Sequence, residues 1–111
     1  MTACLVWATM PDAAEAERIG RVLVEERLAA AANIVPGLRS FYRWDGEVRS
    51  GAEALLVLKT RADLAERAVE RVTALHGYAC PGVVILPIAG GNQPYLDWIA
   101  AETRPAHTAS R

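Results

Sequence analysis

The stretch that most constrains this chain runs from Leu38 to Lys59, where two long arms flank the dipeptide Asp45-Gly46. A two-residue hairpin loop needs positive φ at both central positions, which Asp tolerates and Gly adopts without steric cost. One arm is Leu38-Arg39-Ser40-Phe41-Tyr42-Arg43-Trp44. The other runs from Val48 to Lys59 and ends in the apolar run Ala54-Leu55-Leu56-Val57-Leu58. At roughly 3.3 Å per residue, both arms are long strands for so short a chain. The tip therefore projects beyond any sheet the chain builds alone. Exposed Phe41, Tyr42 and Trp44 beside Arg39 and Arg43 imply a partner surface, and a second copy of the chain is the simplest partner.

The rest of the chain supplies the sheet from which the hairpin projects. Ala3 to Ala8 is a compact apolar run, expected as a buried strand. Asp12, with Glu15 three residues on, marks a helix start, and Pro11 suits that position. This helix is expected to run to about Ala30, with Ala13, Ala16, Ile19, Gly20, Leu23 and Val24 on one face. Gly20 lies within that stripe, where a missing side chain permits close approach to a sheet. A second strand, Asn33-Ile34-Val35, is interrupted by Pro36-Gly37, which points to a sheet edge or a bulge.

After the hairpin, Thr60 to Asp63 is expected to cap a second helix reaching Leu75. Its inward stripe is Ala65, Ala68, Val69, Val72 and Leu75, and Gly77 is its expected C-cap. Val83 to Ile88 reads as another short strand. Asn92 is expected to cap a last short helix with Tyr95, Trp98 and Ile99 on one face. The order strand-helix-strand, twice, predicts an α+β, ferredoxin-like βαββαβ sandwich with a C-terminal helix. Residues 1–104 form the domain and 105–111 read as a disordered tail. One sheet face lies under the two helices. The other needs more cover than the last helix can give, which again calls for an oligomer.

Composition excludes several function classes. The 111 residues are 52% hydrophobic and 23% charged, with net charge −1. That suits a single globular domain and offers no basic excess for nucleic acid. No apolar run reaches membrane-spanning length. The start lacks a signal-peptide pattern, and the cysteines Cys4 and Cys80 have no CxxC partner. Both read as reduced thiols in a cytoplasmic protein. Enzyme patterns are missing as well: no nucleophile elbow, Walker loop or GxGxxG is present. Ser40 and Ser50 have no evident His and Asp partners. The loop Thr9-Met10-Pro11-Asp12 is too short to cradle a phosphate as acylphosphatases do. Of the aromatics that an RNA-binding version of this fold stacks on its central strands, the first strand offers only Trp7 and the third none.

Several segments then coincide in order and spacing. They are Leu23-Val24-Glu25-Glu26-Arg27-Leu28-Ala29-Ala30, Asn33-Ile34-Val35-Pro36-Gly37 and Ser40-Phe41-Tyr42-Arg43-Trp44-Asp45-Gly46. They continue as Leu58-Lys59-Thr60, His76-Gly77-Tyr78 before Pro81, Leu86-Pro87-Ile88 and Tyr95-Leu96-Asp97-Trp98-Ile99. Together they closely resemble the CutA divalent-cation tolerance family, over nearly the whole chain. The resemblance implies a tight homotrimer with hairpins extending sheets between subunits, tolerance to copper and other divalent ions, and copper binding with no obligatory cofactor. It also implies kinship in trimer architecture with the PII-type signal proteins. Around the histidine the family commonly carries two acidic residues where this chain has Ala79 and Gly82. A cysteine frequent in relatives is Ala31 here, and Cys80 is a departure of this chain.

On that basis His76 and Cys80 are the candidate metal ligands: imidazole suits Cu(II) and thiolate suits Cu(I). The plainer reading of His76 is a residue that closes the second helix and bonds to backbone. Tyr42, Trp44, Tyr95 and Trp98 are candidates for an inter-subunit pocket or, more plainly, for interface packing. Arg39, Arg43 and Lys59 are candidates to face a small anionic metabolite in a cleft between subunits, as in PII-like proteins. The plainer reading is solvated strand faces paired with Glu47 or Glu53. The sequence thus points to a homotrimeric metal-binding protein rather than an enzyme, with a PII-like metabolite sensor as the alternative.

Overall fold

A computed structural model describes residues 2–104; the tail, with His107, lies outside the described residues. The elements are β1 (Ala3–Met10), α1 (Ala13–Glu25), β2 (Ala31–Trp44), β3 (Glu47–Arg61), α2 (Ala65–Leu75), β4 (Val83–Pro87) and α3 (Gln93–Glu102). The strands form one antiparallel sheet in the order β2-β3-β1-β4, the ferredoxin-like arrangement expected from the sequence. The hairpin turns at Asp45 (φ 51°) and Gly46 (φ 75°), the pair of left-handed residues that a tight β-hairpin loop requires. Its length makes the molecule elongated, with extents of 47 × 31 × 23 Å.

Alternation along β1 divides the sheet into two environments. Val6, Ala8 and Met10 pack with Leu56 and Leu58 of β3 beneath Ala16, Ile19 and Leu23 of α1 and Ala68 and Val72 of α2. Every one of these side chains is withdrawn from solvent. Gly20 is the tightest point of that layer. A Cβ there would stand 2.9 Å from Leu56 Cδ1 and 3.0 Å from the Ala32 Cβ, so α1 sits as close to the sheet as the sequence implied. The opposite face carries Trp7 opposite Val57 and Val84, and Leu5 opposite Lys59 and Leu86. There α3 covers one end only, through Ile99 with Ala3 and Ala30. Trp7 is left 39% exposed and Val84 54%.

Pro36-Gly37 resolves as both devices at once. β2 is an edge strand, and its pairing with β3 shifts between Val35 and Leu38, with Gly37 at φ 74°.

Several boundaries differ from the sequence expectation. α1 stops at Glu25, not Ala30. Arg27 takes φ 61°, Leu28 and Ala29 N–H both donate to the Leu23 carbonyl, and Ala30 N–H donates to Lys59 O at 2.8 Å. Burial of Leu28 and Ala29 and the pull of the sheet end the helix without a glycine. Val24, expected on the inward stripe, is at the surface. Thr60 does not cap α2. It pairs with Cys4 deep in the sheet, and its Oγ1 is buried without a partner. Asp63 instead takes two hydrogen bonds from Arg61, and a 3-10 turn over Ala62–Leu64 leads into α2 without a side-chain cap.

The helix ends show the same substitution of partners. Asn92 caps α3 only through its carbonyl, which accepts from Tyr95 and Leu96 N–H. Gly77 is outside the left-handed region; the end of α2 is closed by Arg18 of α1, whose Nη2 donates to Leu75 O at 2.9 Å. A cation at a helix C-terminus also meets the negative end of the helix dipole. The Asp12 cap holds, with Glu15 N–H donating to Oδ1 at 2.8 Å. The Glu15 carboxylate, however, turns to Arg18.

Candidate functional site

A cleft of about 570 Å³ opens where the hairpin leaves the body of the sheet. β2 contributes Ser40, Phe41, Tyr42 and Trp44, and β3 contributes Arg49 and Glu53. Thr9, near the end of β1, forms the floor, and the segment between α2 and β4 contributes Tyr78, Ala79, Cys80 and Gly82. The hairpin register explains the hairpin's share. Tyr42 pairs with Arg49, and Leu38 with Glu53, so residues of both arms fall along one wall.

The opposite wall is positioned by His76. The residue is buried at the C-terminal end of α2. Nε2 stands 2.7 Å from the Thr9 carbonyl oxygen, and Nδ1 accepts the Tyr78 N–H at 3.1 Å. A carbonyl only accepts, so Nε2 carries the hydrogen and Nδ1 offers its lone pair. The His76 and Tyr78 rings lie against each other with centroids 4.7 Å apart. Tyr78 then reaches across the cleft, its hydroxyl donating to Glu53 Oε2 at 2.8 Å. Burial, and next the hydrogen bond to Glu53, push the Tyr78 phenol up to about 12. The phenol is therefore neutral and the bond intact at physiological pH.

Cys80 is free and exposed on this wall, while Cys4 is free and buried, its thiol pushed up by desolvation. Cys80 lines the cleft and His76 does not. As placed, neither His76 nitrogen has a lone pair to spare, and no group of three or more His, Cys, Asp or Glu side chains converges among the described residues.

The remaining candidates fall into separate places. Tyr42 and Trp44 stand in the cleft with Cys80. Tyr95 and Trp98 stack 5.5 Å apart on α3, and the Lys59 ammonium sits 5.3 Å from the Tyr95 ring centroid, a cation-π geometry. That trio borders the open sheet face. Arg39 and Arg43 are exposed, and no ion pair reaches either one among the described residues. Within one chain Lys59 and Arg43 do not meet. Arg43 pairs with Val48, so roughly 36 Å of ladder separates the two at about 3.3 Å per residue. Thr9, Arg49, Glu53 and Tyr78 were not singled out from the sequence as site residues. Tyr78 stood in the motif beside His76, a signal of sorts; nothing local tied it to Glu53.

Comparison with known proteins places this geometry in context. A family model described as CutA1 divalent ion tolerance protein matches residues 4–102. The divalent-cation tolerance protein CutA of Thermus thermophilus is 52% identical over 99 residues, covering 89% of this chain and 96% of that relative. The chloroplastic CutA protein of Arabidopsis thaliana is 44% identical over 100 residues, covering 90% of this chain; the chain spans 55% of that longer relative. The crystal structure of CutA1 from Oryza sativa superposes with a TM-score of 0.90 at 42% identity, over 94% of this chain and 95% of that one.

Proposed function

This chain belongs to the CutA1 divalent ion tolerance family, and from that premise we propose that it acts as a homotrimeric divalent-cation tolerance protein that binds copper or a similar metal ion as cargo. The assembly reading is supported by the half-covered sheet face, where Trp7, Val84, Leu86, Tyr95 and Trp98 meet solvent, and by the hairpin tip, where Phe41 is 74% exposed. A second and third copy supply the cover that α3 lacks. We read the chain as a binding protein, not an enzyme. Two free thiols suit a reducing compartment, and we assign it to the cytoplasm. No described helix is long and apolar enough to cross a membrane.

The observation that carries the metal reading is the position of Cys80: an exposed thiol in a cleft that also holds the Glu53 carboxylate. Thiolate selects soft ions such as Cu(I), and a carboxylate adds charge for harder ones. Any further ligands come from neighbouring copies or from rearrangement. The alternative, a small anionic metabolite held between subunits by Arg39, Arg43 and Lys59, is not taken up, because no specific observation favours it. The test is an anaerobic calorimetric copper titration of the reduced protein, run beside Cys80→Ser and His76→Ala. Saturable binding at a fixed ratio per chain, lost in Cys80→Ser and kept in His76→Ala, is the expected result. Binding indifferent to Cys80→Ser moves the metal elsewhere, and no binding at all separates tolerance from direct metal capture.

A further inference from the structure

Arg49 and Glu53 are opposite charges on one wall of the cleft, and no ion pair joins them among the described residues. Both lie on β3, where alternate residues share a side, so the position between them on the cleft side is Gly51. Glycine inside a strand marks a bulge, a bend or the close approach of a ligand or another backbone. Nothing within the chain accounts for it here. Gly51 pairs in register with Ser40, its φ is not left-handed, and a Cβ placed on it would meet nothing within 4 Å. The space over Gly51 and the small Ser40 is open, with a guanidinium at one end and a carboxylate at the other. From this juxtaposition we propose that the cleft binds a small zwitterion of the ω-amino acid class, its carboxylate on Arg49, its ammonium on Glu53 and its chain over Gly51.

Each end has capacity for a partner. The Tyr78 hydroxyl takes Glu53 Oε2 at 2.8 Å, and Oε1 accepts no hydrogen bond among the described residues. Arg49 has Glu47 at 3.7 Å, too long for a hydrogen bond, between two exposed side chains. Its planar fork is thus free for the paired bonds that a carboxylate accepts. Tyr42 stands opposite Arg49 on the same cleft wall, and Tyr78 stands at the Glu53 end, so an aromatic side chain flanks each charge.

The spacing selects the ligand. Four strand positions from Arg49 to Glu53 span roughly 13 Å, at about 3.3 Å per residue. Side chains stand near perpendicular to a sheet, so their head groups keep about that separation. A charge-assisted hydrogen bond of about 2.8 Å at each end leaves about 7 Å between the two charges of the ligand, a chain of about five methylenes. An α-amino acid carries its charges on neighbouring carbons and reaches one end only. The zwitterion shares Glu53 with the metal reading but needs neither a metal nor the Cys80 thiol.

The test uses full-length protein stripped of metal by a chelator, so its outcome is independent of copper capture. Backbone amide shifts are followed by nuclear magnetic resonance as ε-aminocaproate, its isomer norleucine or n-hexylamine is added. Saturable binding of ε-aminocaproate, with shifts centred on Gly51 and affinity at least about tenfold above the other two probes, is the expected result. Arg49→Gln and Glu53→Gln should each weaken it about tenfold, the effect of one lost charged hydrogen-bond partner. Gly51→Val, whose side chain enters open space in the single chain, should abolish it. Absence of saturation in the wild type overturns the proposal, as does equal affinity for ε-aminocaproate and norleucine, or binding unchanged in Gly51→Val. Arg49 is exposed, so Arg49→Gln folds even if Gly51→Val does not, and unchanged binding in that variant is equally decisive against the site. A wild type that takes no zwitterion, with assembly lost in Gly51→Val, overturns it too and gives the space to a second copy of the chain.

Discussion

The two faces of the sheet are built from similar residues and end in opposite conditions. On the helix side Val6, Ala8, Met10, Leu56 and Leu58 lie wholly under α1 and α2, with Gly20 setting the distance of approach. On the other side Trp7, Val84 and Leu86 are as apolar, yet α3 leaves them partly in water. The first face is a finished core, whose cost of change is paid within one chain. The second is only partly covered, and in the proposed assembly its energetics would belong to association. Hydrophobicity alone does not separate the two; the length and placement of covering helix does.

That contrast can be broken most forcefully from the finished side. Leu56→Ala removes a fully buried side chain that touches α1, and it should lower unfolding free energy by about 2–5 kcal/mol in denaturant titration. A loss well below about 1 kcal/mol would mean the helix layer is looser than its burial implies. Trp7→Ala probes the unfinished side. Its expected effect is a weakening of self-association by about 2 kcal/mol, roughly thirtyfold in dissociation constant, read by sedimentation at low micromolar concentration. A variant that unfolds more easily but assembles as before would erase the distinction between the faces. The smallest effect belongs to the cleft. Because the Tyr78 phenol is raised to about 12, its contribution to stability is complete below the ordinary tyrosine range near pH 10 and is lost as pH rises through 12. Ultraviolet titration should find one late-ionising tyrosine, and Glu53→Gln should bring it down, because the bond to Glu53 is the second cause of the shift.

How far the chain could be read in advance follows the same local-versus-distant divide. The hairpin was legible because Asp45-Gly46 carries its own conformational requirement, and both residues take the left-handed φ that it demands. The Asp12 cap and, Val24 apart, the inward stripes of α1 and α2 were legible for the same reason, since spacing within one helix decides them. The end of α1 was not. Arg27 is an unlikely left-handed residue, and it is forced there by Ala30 joining Lys59 across the sheet. Thr60 looked like a cap but is committed to the sheet interior opposite Cys4. The cleft was the least legible part. Tyr78 and Glu53 are 25 positions apart and His76 and Thr9 are 67, so only the folded topology brings each pair together. His76 illustrates the point from the other direction: its chemistry suggested an available imidazole, and its position gave both nitrogens to backbone.

The irregularity in β2 at Pro36-Gly37 behaves like a frameshift. Before it, Val35 of β2 stands opposite Leu55; after it, Leu38 stands opposite Glu53, so β2 advances three residues while β3 advances two. Since successive strand residues point to opposite sides, one surplus residue exchanges the roles of odd and even positions along the whole outer arm. Ser40, Tyr42 and Trp44 are thereby brought to the side that carries Arg49 and Glu53. A strand without the insertion would put Arg39 and Arg43 on that side instead. The identity of the cleft wall is thus written ahead of the residues that form it, in a dipeptide that lines no part of it.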